Sequence, residues 1–194
     1  AQGWDIDILA HYRRGGHVLG LCGGYQMLGR SIDDPDGIEG RGGAVPGLAL
    51  LDVETTIAGD KTTVPVAGVH VPSGEDVSGY EIHLGDTDGP DCRRPMIRIG
   101  ERDDGAQSCD KRVSGTYVHG LFARDGFRRA FLRQLGGRSS GLDYEAHVDN
   151  ALDRLAAHLE THVDIDRMLE IACGYKNASE RPKTAKNTKA HARA

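Results

Sequence analysis

The chain has 194 residues, 38% of them hydrophobic, with 24 Lys plus Arg against 29 Asp plus Glu for a net charge of −5. That is enough chain for one or two domains at about 100–200 residues each, which excludes a miniprotein dependent on metal or disulfide staples. No apolar run approaches the roughly 18 residues of a bilayer span and the first residues lack a signal-peptide layout, so the expected setting is soluble and cytoplasmic, with no membrane and no nucleic acid as partner.

In chain order, Ile6, Leu9 and Tyr12 stand at helical spacing in a segment that stops at Gly15 and Gly16, and the apolar run from His17 to Leu21 reads as a buried strand. The residues after Cys22 start a second helix, with Met27 and Leu28 expected to face inward. From Leu48 to Gly120 the texture turns to strands. LALLDVETTI, TTVPVAGVHV, GYEIHLG, PMIRIG and VSGTYVHGLF are separated by Gly, Asp and Pro, with ERDDGAQSC as a hairpin connection. Helices return with Asp125 as a cap, Phe127 and Phe131 on one face, and Gly136 and Gly137 as the stop. Leu152, Leu155, Leu159 and Val163 mark a longer helix, and Asp164 restarts a short one through Met168, Leu169 and Ile171.

This alternation predicts an α/β domain over residues 1–174, an open sheet with flanking helices. From Lys176 on, six Lys or Arg face a single Glu. Such a segment buries too little apolar surface to offset its ordering entropy, so residues 175–194 read as a basic, disordered tail. The sequence opens with a helix feeding an apolar strand, and one or more leading strands of the sheet are expected to be missing from it.

Cys22, Cys92, Cys109 and Cys173 show no CxxC spacing and no nearby His pair, so neither a zinc site nor a disulfide framework is expected, and no metal is assigned. Cys22 differs from the rest. It lies between strand and helix in Gly20-Leu21-Cys22-Gly23-Gly24, where residues without side chains make room for a sharp turn. That is the pattern of a nucleophile elbow carrying sulfur. A helix N-terminus at this point favours negative charge on sulfur, and the Gly23 amide is available to an oxyanion. A small Cys packed at a crowded turn fits the same letters.

A thiolate attacking an amide needs an acid for the leaving nitrogen, usually His. Of nine His, His119 ends an apolar strand immediately before Gly120, where an α/β sheet presents catalytic side chains. His83 sits in the more polar GYEIHLGDT, and His70 has no distinguishing context.

GLCGGYQMLG, GYEIHLGDT and GTYVHGLF, in this order and spacing, resemble the glutamine amidotransferase domain of the cobyric acid synthase type, over about Gly3 to Gly174. The resemblance implies a class I glutamine amidotransferase of flavodoxin-like fold. Cys22 would attack the carboxamide of glutamine, His119 would serve as base and then acid, and Gly23 and Gln26 would contact the substrate. Released ammonia would pass to an N-terminal synthetase domain or subunit. There ATP and magnesium would activate side-chain carboxylates of a corrinoid acceptor, adenosylcobyrinic acid a,c-diamide, in cobalamin biosynthesis. No cofactor is expected on this chain, which has no GxxxxGK[ST] loop.

Two departures stand out. Many class I members carry Glu two residues after the catalytic His, where this sequence has Leu121, as relatives of this type also lack it. The Gly-containing loop that gives a second oxyanion donor would precede Ala1, so the chain alone is expected to be weakly active. Other readings fit the residues: an amidotransferase subunit serving another ligase, for cobyrinic acid a,c-diamide or a cell-wall lipid precursor, or a catalytically silent docking domain.

Overall fold

A computed structural model describes residues 3–59, 62–139 and 141–179. It divides into two compact units, Ala1–Tyr144 and Glu145–Ala194. In the first unit, helix α1 (Trp4–Arg13) leads through Gly15 and Gly16 to strand β1 (Val18–Leu21), and α2 (Gly23–Leu28) follows. Next come β2 (Ser31–Asp34), β3 (Gly43–Pro46), β4 (Glu54–Thr56), β5 (Thr62–His70), β6 (Asp76–His83) and β7 (Asp86–Asp88). Strands β8 (Ile97–Ile99), β9 (Arg102–Asp104), β10 (Ala106–Gln107), β11 (Val113–Thr116) and β12 (Val118–His119) precede α3 (Asp125–Gln134). Helices α4 (Tyr144–His162) and α5 (Ile165–Ser179) complete the described chain.

Three sheets form among the described residues, in strand orders β1-β11-β10, β12-β6-β5-β8-β9 and β3-β2-β4-β7. The mixed α/β architecture, with open sheets and flanking helices, agrees with the expected fold class. β1 and β11 are parallel, and a parallel strand buried on both sides needs apolar residues on both faces. The sequence supplies them. Val18 packs against the cluster of Tyr25, Leu28, Leu51, Val53, Val113 and Tyr117, whereas Leu19 and Leu21 pack against Val77, Met96, Ile97, Val118, Leu121 and Phe127.

Several local expectations are corrected. Leu28 is buried (3% exposed) but Met27 is 55% exposed, because the short α2 packs through Tyr25 and Leu28, three residues apart, and turns Met27 outward. LALLDVETTI yields only the strand Glu54–Thr56; its Leu51 and Val53 enter the core from irregular chain. ERDDGAQSC is itself strand, as β9 and β10, with β9 returning antiparallel on β8. β2 and β3, in a polar and Gly-rich stretch, have no apolar run to announce them. Asp125 lies inside the first turn of α3, where its carboxylate takes Arg128 Nη2 at 2.5 Å and the Tyr144 amide at 3.2 Å, and Arg124 holds the cap position. The described backbone of α5 continues to Ser179, and residues 180–194 of the expected tail lie outside the described residues.

Candidate active site

The segment from Val113 to His119 belongs to two sheets in succession. Its first part pairs with β1 as far as Leu21 opposite Thr116, and its last two residues pair with β6, Val118 opposite Glu81 and His119 opposite Tyr80. Cys22 follows β1 at this switch point. Its amide donates to Thr116 O at 2.9 Å, and its thiol donates to Ile82 O on β6 at 3.3 Å. Side chains at the carboxyl ends of sheet strands are where open α/β folds place their chemistry.

The backbone at Cys22 has φ 53 and ψ −120. A positive φ at a residue with a Cβ costs on the order of 1–3 kcal/mol and persists where the surrounding structure holds it. Gly20 is one reason that it persists: a Cβ there would stand 2.7 Å from the Gly24 carbonyl carbon and oxygen and from Leu28 Cδ1. Gly115, opposite Gly20, is similarly filled by the Tyr25 ring. Gly24 plays a different part from the one its spacing implied, since a Cβ on Gly24 itself meets nothing within 4 Å. The close strand-helix contact is made by its backbone and by the missing side chain of Gly20.

His119 lies along the same edge of β6 as Cys22. Its ladder partner Tyr80 is two positions from Ile82, roughly two strand rises of about 3.4 Å. Its Nε2 is buried with no hydrogen-bond partner, as are Glu81 Oε1 and His83 Nδ1. The Cys22 thiol is turned to Ile82 O, and a nucleophile–base hydrogen bond often tightens only when substrate arrives.

Gly23 and Gly24 occupy the first turn of α2, where helix amides have no carbonyl one turn behind them. Gln26 is buried, and its Nε2 donates to Leu84 O at 3.1 Å and to Tyr117 Oη at 3.3 Å. That hydroxyl lies 2.5 Å from Thr87 Oγ1, which lies 2.7 Å from Thr55 Oγ1, so Gln26 ends a polar chain tying α2 to the stretch after β6. On β6 the residues alternate as a half-buried strand does: Tyr80 is exposed, whereas Glu81 is buried with its Oε2 taking Arg102 Nη2 at 2.7 Å. His83 stacks on the Tyr117 ring, centroids 3.8 Å apart, and burial lowers its pKa. A polar cavity of about 210 Å³ adjoins this layer, lined by His83, Asp86, Thr87, Arg102, Asp104 and Tyr117. No group of three or more His, Cys, Asp or Glu among the described residues is arranged to hold a metal ion.

Residues 1–127 match the family described as the CobB/CobQ-like glutamine amidotransferase domain. The chain belongs to this family. Among curated relatives, this amidotransferase domain is 59% identical over 172 residues to cobyric acid synthase of Cereibacter sphaeroides, covering 89% of the chain and 36% of the relative. Cobyric acid synthase of Bradyrhizobium diazoefficiens is 55% identical over 172 residues, with 89% and 36% covered. That of Paracoccus denitrificans is 59% identical over 171 residues, with 88% and 35% covered. The chain thus spans about a third of the length of these relatives.

In the CobB/CobQ-like domain seen here, the elbow cysteine and the strand-end histidine come from segments far apart in sequence, and each contacts β6, Cys22 at Ile82 and His119 at Tyr80. The ring contact between Tyr80 and His119 escaped sequence reasoning. Its only signal was the position of Tyr80 in GYEIH, and pairing GYEIH with GTYVH requires the sheet register.

Proposed function

We propose that this domain is the glutaminase portion of a cobyric acid synthase. The observation that carries this reading is the positive-φ backbone of Cys22 at the β1–α2 junction, with its thiol on the same strand edge as His119. His119 takes the Cys22 proton as the sulfur attacks the glutamine carboxamide carbon, and the Gly23 amide donates to the oxyanion. His119 then returns that proton to the leaving nitrogen as the C–N bond breaks, releasing ammonia and leaving a glutamyl thioester. Water, deprotonated by His119, attacks the thioester; glutamate departs and the thiol is restored. Gln26, whose Nε2 fixes α2 to Leu84 and Tyr117, is the proposed contact for a glutamine bound over the elbow.

Ammonia passes to a synthetase domain or subunit, on which ATP and magnesium activate side-chain carboxylates of a corrinoid acceptor. The identity to cobyric acid synthases over 89% of the chain supports that acceptor. The test is amidation of adenosylcobyrinic acid a,c-diamide by the domain together with its synthetase partner. Cys22→Ser is expected to abolish the glutamine-dependent reaction and spare the ammonia-dependent one. Loss of both would overturn the assignment.

A further inference from the structure

A general base works only when its ring is held in the plane of the proton it takes. At His119 the residue two places on cannot do this. Gly120 turns the chain at φ 82, and Leu121 (1% exposed) is driven into the apolar cluster with Val77 and Phe127.

Tyr80 offers a different support. It stands directly opposite His119 in the β6–β12 ladder, and the two rings are parallel within 3° with centroids 5.0 Å apart, the geometry of an offset stack. The backbone beneath the pair is also fixed. A Cβ on Gly79 would overlap the His119 carbonyl oxygen, so glycine there lets the two strands close to this distance. Tyr80 is 44% exposed, so its ring is not needed to fill the core, yet it lies over a histidine whose Nε2 is buried and unpaired.

We propose that Tyr80 is the positioning residue for His119, fixing the imidazole plane by ring stacking where other class I members use a carboxylate. This rests on the glutaminase assignment of Cys22 and His119. The working part is the ring face, so the hydroxyl is dispensable and any flat aromatic side chain serves.

The experiment measures glutamate release by the domain with its synthetase partner. Cys22→Ser and His119→Ala come first, and if either retains activity the glutaminase assignment itself fails. With both inactive, Tyr80→Leu and Tyr80→Gln are expected to lower kcat about 10- to 100-fold, the scale of a misplaced catalytic group, with KM within about twofold. Tyr80→Phe is expected to keep kcat within about twofold of the unaltered protein. Melting curves accompany each variant, and the polar Gln suits a half-exposed strand position should Leu fail to fold. Unchanged kcat in the Leu and Gln variants would overturn the proposal. So would a rise in KM alone, which marks a substrate contact, or a Tyr80→Phe defect as deep as that of Leu, which marks a role for the hydroxyl.

Discussion

The Cys22 thiol donates to the carbonyl of Ile82, 60 residues further along the chain, at 3.3 Å. This one contact ties the turn after β1 to the edge of β6, the strand whose Tyr80 lies opposite His119. A chloroketone analogue of glutamine is therefore expected to alkylate Cys22 first, with glutamine protecting it. Cys92 is expected to react slowly, because burial raises its thiol pKa and the thiol is engaged with Tyr25 Oη and Thr87 O. Peptide mass spectrometry reads the result, and equal labelling of the exposed Cys109 or Cys173 would count against a glutamine site at the elbow.

The two glycines flanking Cys22 are expected to behave oppositely. Gly20→Ala drives a methyl into the Gly24 backbone and Leu28, and overpacking of this kind costs about 1–3 kcal/mol. Gly24→Ala meets open space at a helical position, where Ala is favoured over Gly by up to about 1 kcal/mol. Thermal melts of the two variants check this; a fall for Gly24→Ala as large as that for Gly20→Ala would refute it.

Leu121→Glu, which would place a carboxylate two residues past His119, is expected to damage the fold instead of orienting the ring. An unpaired charge at this buried position costs about 3–5 kcal/mol. A stable, more active variant would show that the chain after Gly120 can turn the residue toward His119.

Acid stability is expected to hide two opposed titrations. Burial lowers the His70 pKa to about 4, so between its unfolded value near 6.5 and pH 4 the unfolded chain binds the extra proton, and stability falls with acidification. Burial raises the Asp104 carboxyl to about 6 against the hydrogen bond from Thr116, so between about pH 6 and 3.8 the folded chain binds the extra proton, and stability rises with acidification. Each shift corresponds to about 3 kcal/mol at 1.36 kcal/mol per unit. Asp104→Asn should therefore steepen the loss of stability from pH 6.5 to 4, and His70→Gln should reverse its sign. Denaturant titrations at three pH values distinguish these slopes, and identical slopes in both variants would contradict the opposition.

Short-range chemistry wrote part of this protein plainly. The apolar run Val18–Leu21, the glycines around Cys22 and the helical residues after it specify strand, turn and helix locally, because each depends on φ and ψ preferences and on side chains within a few residues. Phe127 and Phe131 at helical spacing likewise announce α3. The motifs GLCGGYQMLG, GYEIHLGDT and GTYVHGLF carry the family membership in the letters of the sequence.

Long-range register decided the rest. Nothing local says that Val113 to His119 serves β1 first and β6 afterwards, that Tyr80 lies over His119, or that Gln26 spends its amide on Leu84 and Tyr117. Strand partners are chosen by the burial of whole faces across the sheet, and a one-residue slip would send every side chain of β6 to its opposite face. The sequence alone determines which residues are equipped for the chemistry; the pairing of strands far apart in the chain determines which of them meet.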